Sequence, residues 1–305
     1  MDIVVHESSD ELAAWVADLQ AALPQARVRA WAPGAAAADY AVVWAPPQQL
    51  LDEQTRLRAI FNTGAGVDRL LQRRLPPGVP VLRLRDAGMA VQMAEYVLQA
   101  VIRHHRGLDA LTAQQAQGQW VQPPVRERAD CVVGILGHGV LGQRVAQALQ
   151  ALDYPVRAWT RSPHPQAAVP LMVGREALGD FVSGCAVLVN LLPLTPDTEG
   201  LLDHALLSRL PRGAMLVNVA RGAHLVDEDL LALLDSGHIA RAWLDVFRQE
   251  PLPAAHRFWR HPSVHLTPHT SARTLRGPSV AQIAQAIAAI ERGEPVPTVD
   301  PTRGY

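Results

Sequence analysis

The sequence predicts an α/β protein with two doubly wound parallel sheets, and three observations carry that prediction. Its 305 residues suffice for one large domain or two medium ones. Short apolar, β-branched or aromatic runs alternate with helical stretches, once near the start of the chain and again from Cys131 onward. A Gly-x-Gly-x-x-Gly run heads the second series, where an apolar strand leads directly into an amphipathic helix.

In the first series the candidate strands are Ile3–His6, Val28–Trp31, Ala41–Ala45, Ala59–Phe61 and Val79–Leu84, each bounded by Pro, Gly or Asn. Between the first two lies a helix that Ser9 or Asp10 can cap, with Leu12, Val16, Leu19 and Leu23 on one face. Residues 92–120 read as a long helical stretch broken at Gly107. His104 and His105 in it are adjacent, so they face different ways and cannot form a metal pair; they read as surface or satisfied helix residues. The second series gives strands Cys131–Leu136, Val156–Thr160, Ala186–Leu191, Ala214–Val219, Ile239–Asp245 and Val264–Thr267. A last helix, Ser279–Arg292, carries an apolar stripe (Val280, Ile283, Ile287, Ile290) that needs a partner and is expected to cross back onto the first unit. The expected domains are therefore residues 1–98 plus 276–305, flavodoxin-like, and residues 99–275, a Rossmann unit.

Composition removes several classes of function. With 49% hydrophobic and 19% charged residues and a net charge of -1, the chain reads as globular, with no charge-based reason to bind nucleic acid or an anionic membrane. All 28 basic residues are arginine. Without lysine there is no Schiff-base lysine, no P-loop lysine and no Tyr-Lys hydride-transfer pair. Cys131 and Cys185 lie far apart in apolar runs, which suits a reducing compartment and offers no zinc site, so no metal is expected. The N-terminus has no basic region before a long apolar stretch, and no apolar run approaches eighteen residues, so a cytoplasmic protein is expected.

The glycine run is Gly137-x-Gly139-x-x-Gly142. The first glycine permits a tight turn, the second lets backbone amides approach a pyrophosphate, and the third lets helix and strand pack closely. The helix N-terminus adds a partial positive charge. Gly137, Gly139, Val140, Leu141 and Gly142 are thus candidate dinucleotide contacts. At the end of the next strand an NAD site has a carboxylate for the ribose 2′-hydroxyl. Here the chain offers Thr160, Arg161 and Ser162, which would bind a 2′-phosphate instead, so NADPH is preferred over NAD.

Ligands of open α/β sheets bind beyond the carboxyl ends of the strands. Those ends bring Leu192 and Pro193, then Val219, Ala220 and Arg221, then Asp245 followed by Glu250, and finally His269. Leu192, Pro193, Val219, Ala220, Arg221, Asp245 and His269 are further candidate cofactor contacts. One Arg, one Glu and one His past three strands of one sheet fit reduction of a 2-oxo acid. His269 can deliver the proton, since an imidazole titrates near neutrality, and Glu250 can hold the ring. Arg221 stays charged, so it can bind the carboxylate and polarise the carbonyl. His261 and His265 read as structural. Trp44 lines the substrate site or belongs to the core, and Arg273 and Arg276 read as substrate contacts or solvent-facing residues.

VNVARG, LDVFRQEP, TPH and GHGVLG together resemble the D-isomer-specific 2-hydroxyacid dehydrogenases over nearly the whole chain. NTGAGVD (62–68) and DAGMAVQMAEYV (86–97) resemble that family's substrate loop and the start of its interdomain helix. WTRSP, VNLLPLTPDT and FRQEPLP followed by FWRHP are similar to its glyoxylate/hydroxypyruvate reductase A branch. The resemblance implies Arg221, Glu250 and His269 as the catalytic set. It implies substrate carboxylate binding by the amides of Gly64, Ala65, Gly66 and Val67, a site in the cleft between domains, and a homodimer built through the cofactor domain and its long helix. His138 departs from the small residue usual there; it is expected to point outward, with the risk of crowding the pyrophosphate. The activity expected is NADPH-dependent reduction of glyoxylate to glycolate and hydroxypyruvate to D-glycerate. Two alternatives stay open: an NAD-dependent dehydrogenase for a bulkier acid, and a non-catalytic dinucleotide-sensing protein on the same fold, as in the C-terminal-binding proteins.

Overall fold

The computed structural model describes residues 1–7, 10–163 and 167–300. The chain forms two compact units, Met1–Gly88 with Thr274–Tyr305, and Met89–Arg273.

The first unit runs β1 (Asp2–His6), α1 (Leu12–Ala22), β2 (Arg27–Ala30), β3 (Tyr40–Val43), α2 (Gln48–Glu53), β4 (Ala59–Asn62), α3 (Asp68–Leu71) and β5 (Val81–Arg83). The strands form one parallel sheet in the order β2-β1-β3-β4-β5, the flavodoxin-like arrangement. β3 and β4 are apolar along nearly their whole length because both faces are covered, as central parallel strands require. Helix α1 buries Trp15 and Leu19, and Leu23 just past its end is buried as well, whereas the expected Leu12 and Val16 are only half-buried. The helix starts after Glu11 with no side-chain cap, so Asp10 does not cap it, and Ser9 lies outside the described residues.

The second unit opens with α4 (Met89–Arg106) and α5 (Leu108–Ala116). It continues through β6 (Val133–Leu136), α6 (Val140–Gln150), β7 (Val156–Thr160), β8 (Leu171–Val173), α7 (Leu178–Ser183), β9 (Val187–Asn190), α8 (His204–Leu207), β10 (Ala214–Asn218), α9 (Asp227–Asp235), β11 (Ile239–Leu244) and β12 (Val264–Leu266). All seven strands are parallel in the order β12-β11-β10-β9-β6-β7-β8, the Rossmann order extended by one strand. The edge strand β8 was not expected from the sequence. It has three half-buried residues and follows a proline, too short a run to show a period.

Met93, Val97 and Val101 recur every fourth residue on α4 and pack with Val145 and Leu149 of α6 in one core cluster. That stripe makes the whole of α4 part of the second unit, so the division falls before Met89 rather than at residue 99. Gly107, at φ +62, ends the helix in the left-handed conformation that glycine favours. The chain returns to the first unit through α10 (Arg276–Glu291), where Arg276 Nε lies 2.6 Å from Asp18 Oδ2 on α1. Among the described residues no helix is long and apolar enough to cross a membrane. Both cysteines are buried and free.

Candidate active site

The strand order of the second unit reverses between β6 and β9, and the glycine run lies at the carboxyl end of β6. Gly137 has φ +94, and a Cβ there would approach Leu191 O to 2.9 Å. A Cβ on Gly142 would collide with the Gly137 carbonyl oxygen, so strand and helix meet backbone to backbone. A Cβ on Gly139 would meet nothing within 4 Å. Among the described residues no group accepts from the amides of Gly139, Val140 and Leu141 at the start of α6. Open space beside unpaired amides at a helix N-terminus fits a pyrophosphate. His138 does not point outward; it is buried at 4% exposure, its side chain turned inward past the left-handed turn at Gly137.

At the end of β7, Thr160 Oγ1 donates to Ser162 O at 2.7 Å, and Thr160–Pro163 contains no carboxylate. Arg161 is exposed, with Nη1 3.5 Å from Asp197 Oδ2, also exposed. On the far side of the reversal, the loops after β9 and β10 are tied by a wholly buried polar network that the sequence reading missed. Asn190 Nδ2 donates to Asn218 Oδ1 at 3.0 Å and lies 2.9 Å from His224 Nδ1. With Nδ1 as acceptor, His224 Nε2–H donates to Pro193 O at 3.3 Å. Asn190 Oδ1 accepts from Leu192 N, and Asn218 Nδ2 donates to Arg221 O at 3.1 Å. Leu192, Pro193, Ala220 and Arg221 are thus fixed from beneath, and Val219, buried, packs in the core. The available signal was an asparagine closing each of two otherwise apolar strands.

Arg221 is extended, its Nη1 donating to Ala220 O at 2.8 Å. The glycine after it is obligatory: a Cβ on Gly222 would collide with the backbone of Phe247 and Arg248. Arg248 completes the tie by donating to Leu225 O at 2.9 Å and Ala223 O at 3.2 Å.

His269 Nδ1 lies 2.9 Å from Glu250 Oε2, and Glu250 Oε1 accepts from Phe247 N at 3.0 Å. With Glu250 ionised, the proton on Nδ1 is committed to it, and Nε2 is the nitrogen left to exchange a proton. His269 has φ +55, a strained conformation for a side chain with a Cβ. Asp245 over-determines that turn. Its N–H donates to Asn218 O, its carbonyl accepts from His269 N at 2.9 Å, and its carboxylate accepts from Thr267 Oγ1 (2.5 Å), Thr270 N (2.8 Å) and Ser271 N (2.9 Å). Tyr96 donates in turn to Thr267 Oγ1 at 2.7 Å. Asp245, a candidate cofactor contact, is fully buried with its carboxylate turned to this loop.

His261, His265, His104 and His105 have structural surroundings. His265 stacks on Trp243 at 4.5 Å between centroids, His261 Nε2 lies 3.3 Å from Asp235, and His105 is buried against Tyr154. His104 is held down to about 4, mainly by burial and then by Arg126, Arg241 and His105, with Asp109 opposing. Arg276 is taken by Asp18, and Arg273 is exposed. Among the described residues no cluster of His, Cys, Asp or Glu could hold a metal.

In the first unit Trp44 is half-buried and lies over Gly64, where a Cβ would come within 2.5 Å of its Cζ3. The Arg69 guanidinium stands 5.9 Å from the Trp44 ring centroid.

Residues 98–271 match the model of the D-isomer specific 2-hydroxyacid dehydrogenase, NAD binding domain. The chain belongs to that family. It is 46% identical over its full length to a glyoxylate/hydroxypyruvate reductase A of Serratia proteamaculans (strain 568), all of which it covers. Among solved structures, a family member from Xanthobacter autotrophicus Py2 in complex with NADPH and MES superposes with a TM-score of 0.94 at 40% identity, over 100% of this chain and 99% of that one. An NADPH-dependent glyoxylate/hydroxypyruvate reductase from Sinorhizobium meliloti, in complex with NADP and sulfate, gives 0.93 at 34% identity, again over 100% and 99%. The two parallel-sheet units are those of this dehydrogenase family, and the chain is an oxidoreductase.

Proposed function

We propose that this dehydrogenase is an NADPH-dependent reductase of small 2-oxo acids, with glyoxylate and hydroxypyruvate as its first substrates. The observation that carries the proposal is the His269–Glu250 pair, 2.9 Å apart, brought together from the separate segments that follow β12 and β11 beyond the carboxyl end of the dinucleotide sheet. NADPH in place of NADH is supported by the hydroxyl-guanidinium end of β7, without a carboxylate, and by family members whose structures hold NADPH or NADP.

The bound cofactor supplies the hydride. Gly137, Gly139, Val140, Leu141 and Gly142 receive its pyrophosphate, Thr160, Arg161 and Ser162 its 2′-phosphate, and the buried network sets Leu192, Pro193 and Ala220 beside it. Arg221 polarises the substrate carbonyl, and the amides of Gly64, Ala65, Gly66 and Val67 take the carboxylate, with Trp44 limiting side-chain size. Protonated His269, its ring stabilised by Glu250, gives the Nε2 proton to the carbonyl oxygen and is left neutral. Asp245 positions His269 through the 267–271 loop.

A homodimer is part of the proposal. Trp120, Val121 and Val125 are 95%, 60% and 91% exposed, more apolar surface than one short segment would leave to water. Two free, buried thiols support a reducing, cytoplasmic setting.

Steady-state rates with NADPH and NADH across a panel of 2-oxo acids test the assignment. Arg161→Asp should cut the NADPH-over-NADH preference by about tenfold or more, since a guanidinium contact to phosphate is replaced by repulsion. Undiminished preference in that variant would contradict the cofactor assignment.

A further inference from the structure

The backbone from Thr63 to Val67 has an unusual division of its hydrogen bonds. Four consecutive carbonyls are held. Thr274 Oγ1 donates to Thr63 O at 2.9 Å, Asn62 Nδ2 donates to Gly64 O and Gly66 O at 3.0 Å each, and Arg83 Nη1 donates to Ala65 O at 3.1 Å. The N–H groups of the same four peptide units, on Gly64, Ala65, Gly66 and Val67, have no acceptor among the described residues. In a trans peptide the N–H lies opposite the C=O, so holding the carbonyls from within aims the amides away from those donors. Each held carbonyl also polarises its own peptide and strengthens the N–H as a donor. Successive unpaired amides of this kind make an anion-binding concavity.

Arg83 adds an independent observation. It is half-buried, and the one hydrogen bond of its guanidinium among the described residues is to the neutral Ala65 carbonyl. No carboxylate lies within ion-pair distance of it among the described residues, while burial and the like charge of Arg85 both act against its protonated form. A desolvated guanidinium without a counter-ion is costly unless an anion completes it.

We infer that Arg83 and Asn62 are positioning residues that build the carboxylate site of the Gly64–Val67 loop, with Arg83 as its fixed positive charge. Their division of labour follows from chemistry. Asn62, at 2% exposure, offers one amide group to two carbonyls and sets the curvature of the loop. Arg83 holds the middle peptide and brings a charge that does not titrate near neutrality. This rests on the proposal that the loop takes the substrate carboxylate.

The test is a 15N–1H titration of the NADP-loaded enzyme with oxalate, a dianion that resembles the substrate, alongside steady-state kinetics. In the wild type the amides of residues 64–67 and the Arg83 guanidinium signal should shift with one common Kd. In Arg83→Gln, which keeps a donor but loses the charge, oxalate affinity should fall about tenfold. KM for the 2-oxo acid should rise about tenfold, with kcat and the KM for NADPH held within about twofold. Arg83→Lys should recover part of the loss. Amide shifts that persist at unchanged affinity in Arg83→Gln would overturn the role of Arg83 and leave the carboxylate assignment standing. Absence of any shift at 64–67 in the wild type would remove the assignment itself. If Arg83→Gln does not fold, the wild-type guanidinium signal decides: movement in step with the amides supports the inference, and a stationary signal overturns it.

Discussion

The two loops proposed to face anions, Gly137–Gly142 in the second unit and Gly64–Val67 in the first, free their amides by different means. Both follow the carboxyl end of a buried parallel strand, and both present amides without acceptors among the described residues. The second unit's loop relies on missing side chains and a helix of eleven residues, α6, whose first turn supplies the donors. The first unit's loop leads into α3, four residues long, and side chains do the work there: Asn62, Arg83 and Thr274 restrain the carbonyls. A glycine pattern can therefore be read along the chain, whereas a clamp built from residues twenty or two hundred positions away cannot.

Substitutions that add one Cβ to each loop break that comparison apart. Gly139→Ala should have the largest effect. The methyl enters space the protein leaves open, so stability should change by less than about 1 kcal/mol while NADPH affinity falls about tenfold or more. Denaturant melts and a fluorescence titration read both quantities, and a variant that binds NADPH normally would show that this space is not the cofactor's. Gly64→Ala meets the Trp44 ring instead. Its effect should be smaller and of the opposite type: stability lower by about 1–2 kcal/mol, KM for the 2-oxo acid raised severalfold, and NADPH affinity unchanged. Equal losses of cofactor and substrate binding in either variant would mean that the loops do not divide the ligands as proposed.

A third prediction touches the second unit alone. His104 on α4 is pushed down to about 4, chiefly by burial, whereas in the unfolded chain it titrates near 6.5. Between those values the unfolded chain binds the extra proton. The stability from a neutral His104 is thus full above about pH 6.5 and lost as pH falls toward 4. The midpoint of thermal unfolding should fall over that window, and His104→Asn should flatten the fall. Equal slopes in wild type and variant would remove His104 as the cause.

The legible parts of the molecule were those encoded over short distances. β7 falls on Val156–Thr160 as its sequence indicates, and Gly107 divides α4 from α5. Glu250 and His269 were found because each follows a strand end, where parallel sheets expose loops. What was missed depends on burial. α1 turns Trp15 inward, His138 goes into the protein, and Asp245 spends its carboxylate on Thr267, Thr270 and Ser271. The Asn190–Asn218–His224 network has a local trace in the asparagines that close β9 and β10, but nothing in the sequence pairs them with each other or with His224. β8 has too few residues for its alternation to register.

The most direct measurement of the central claim is the single-turnover rate of NADPH oxidation by glyoxylate in wild type and His269→Ala. The account predicts a rate lower by about 100- to 10,000-fold, the range of a positioned proton donor, with NADPH affinity unchanged. Turnover near that of the wild type would contradict it.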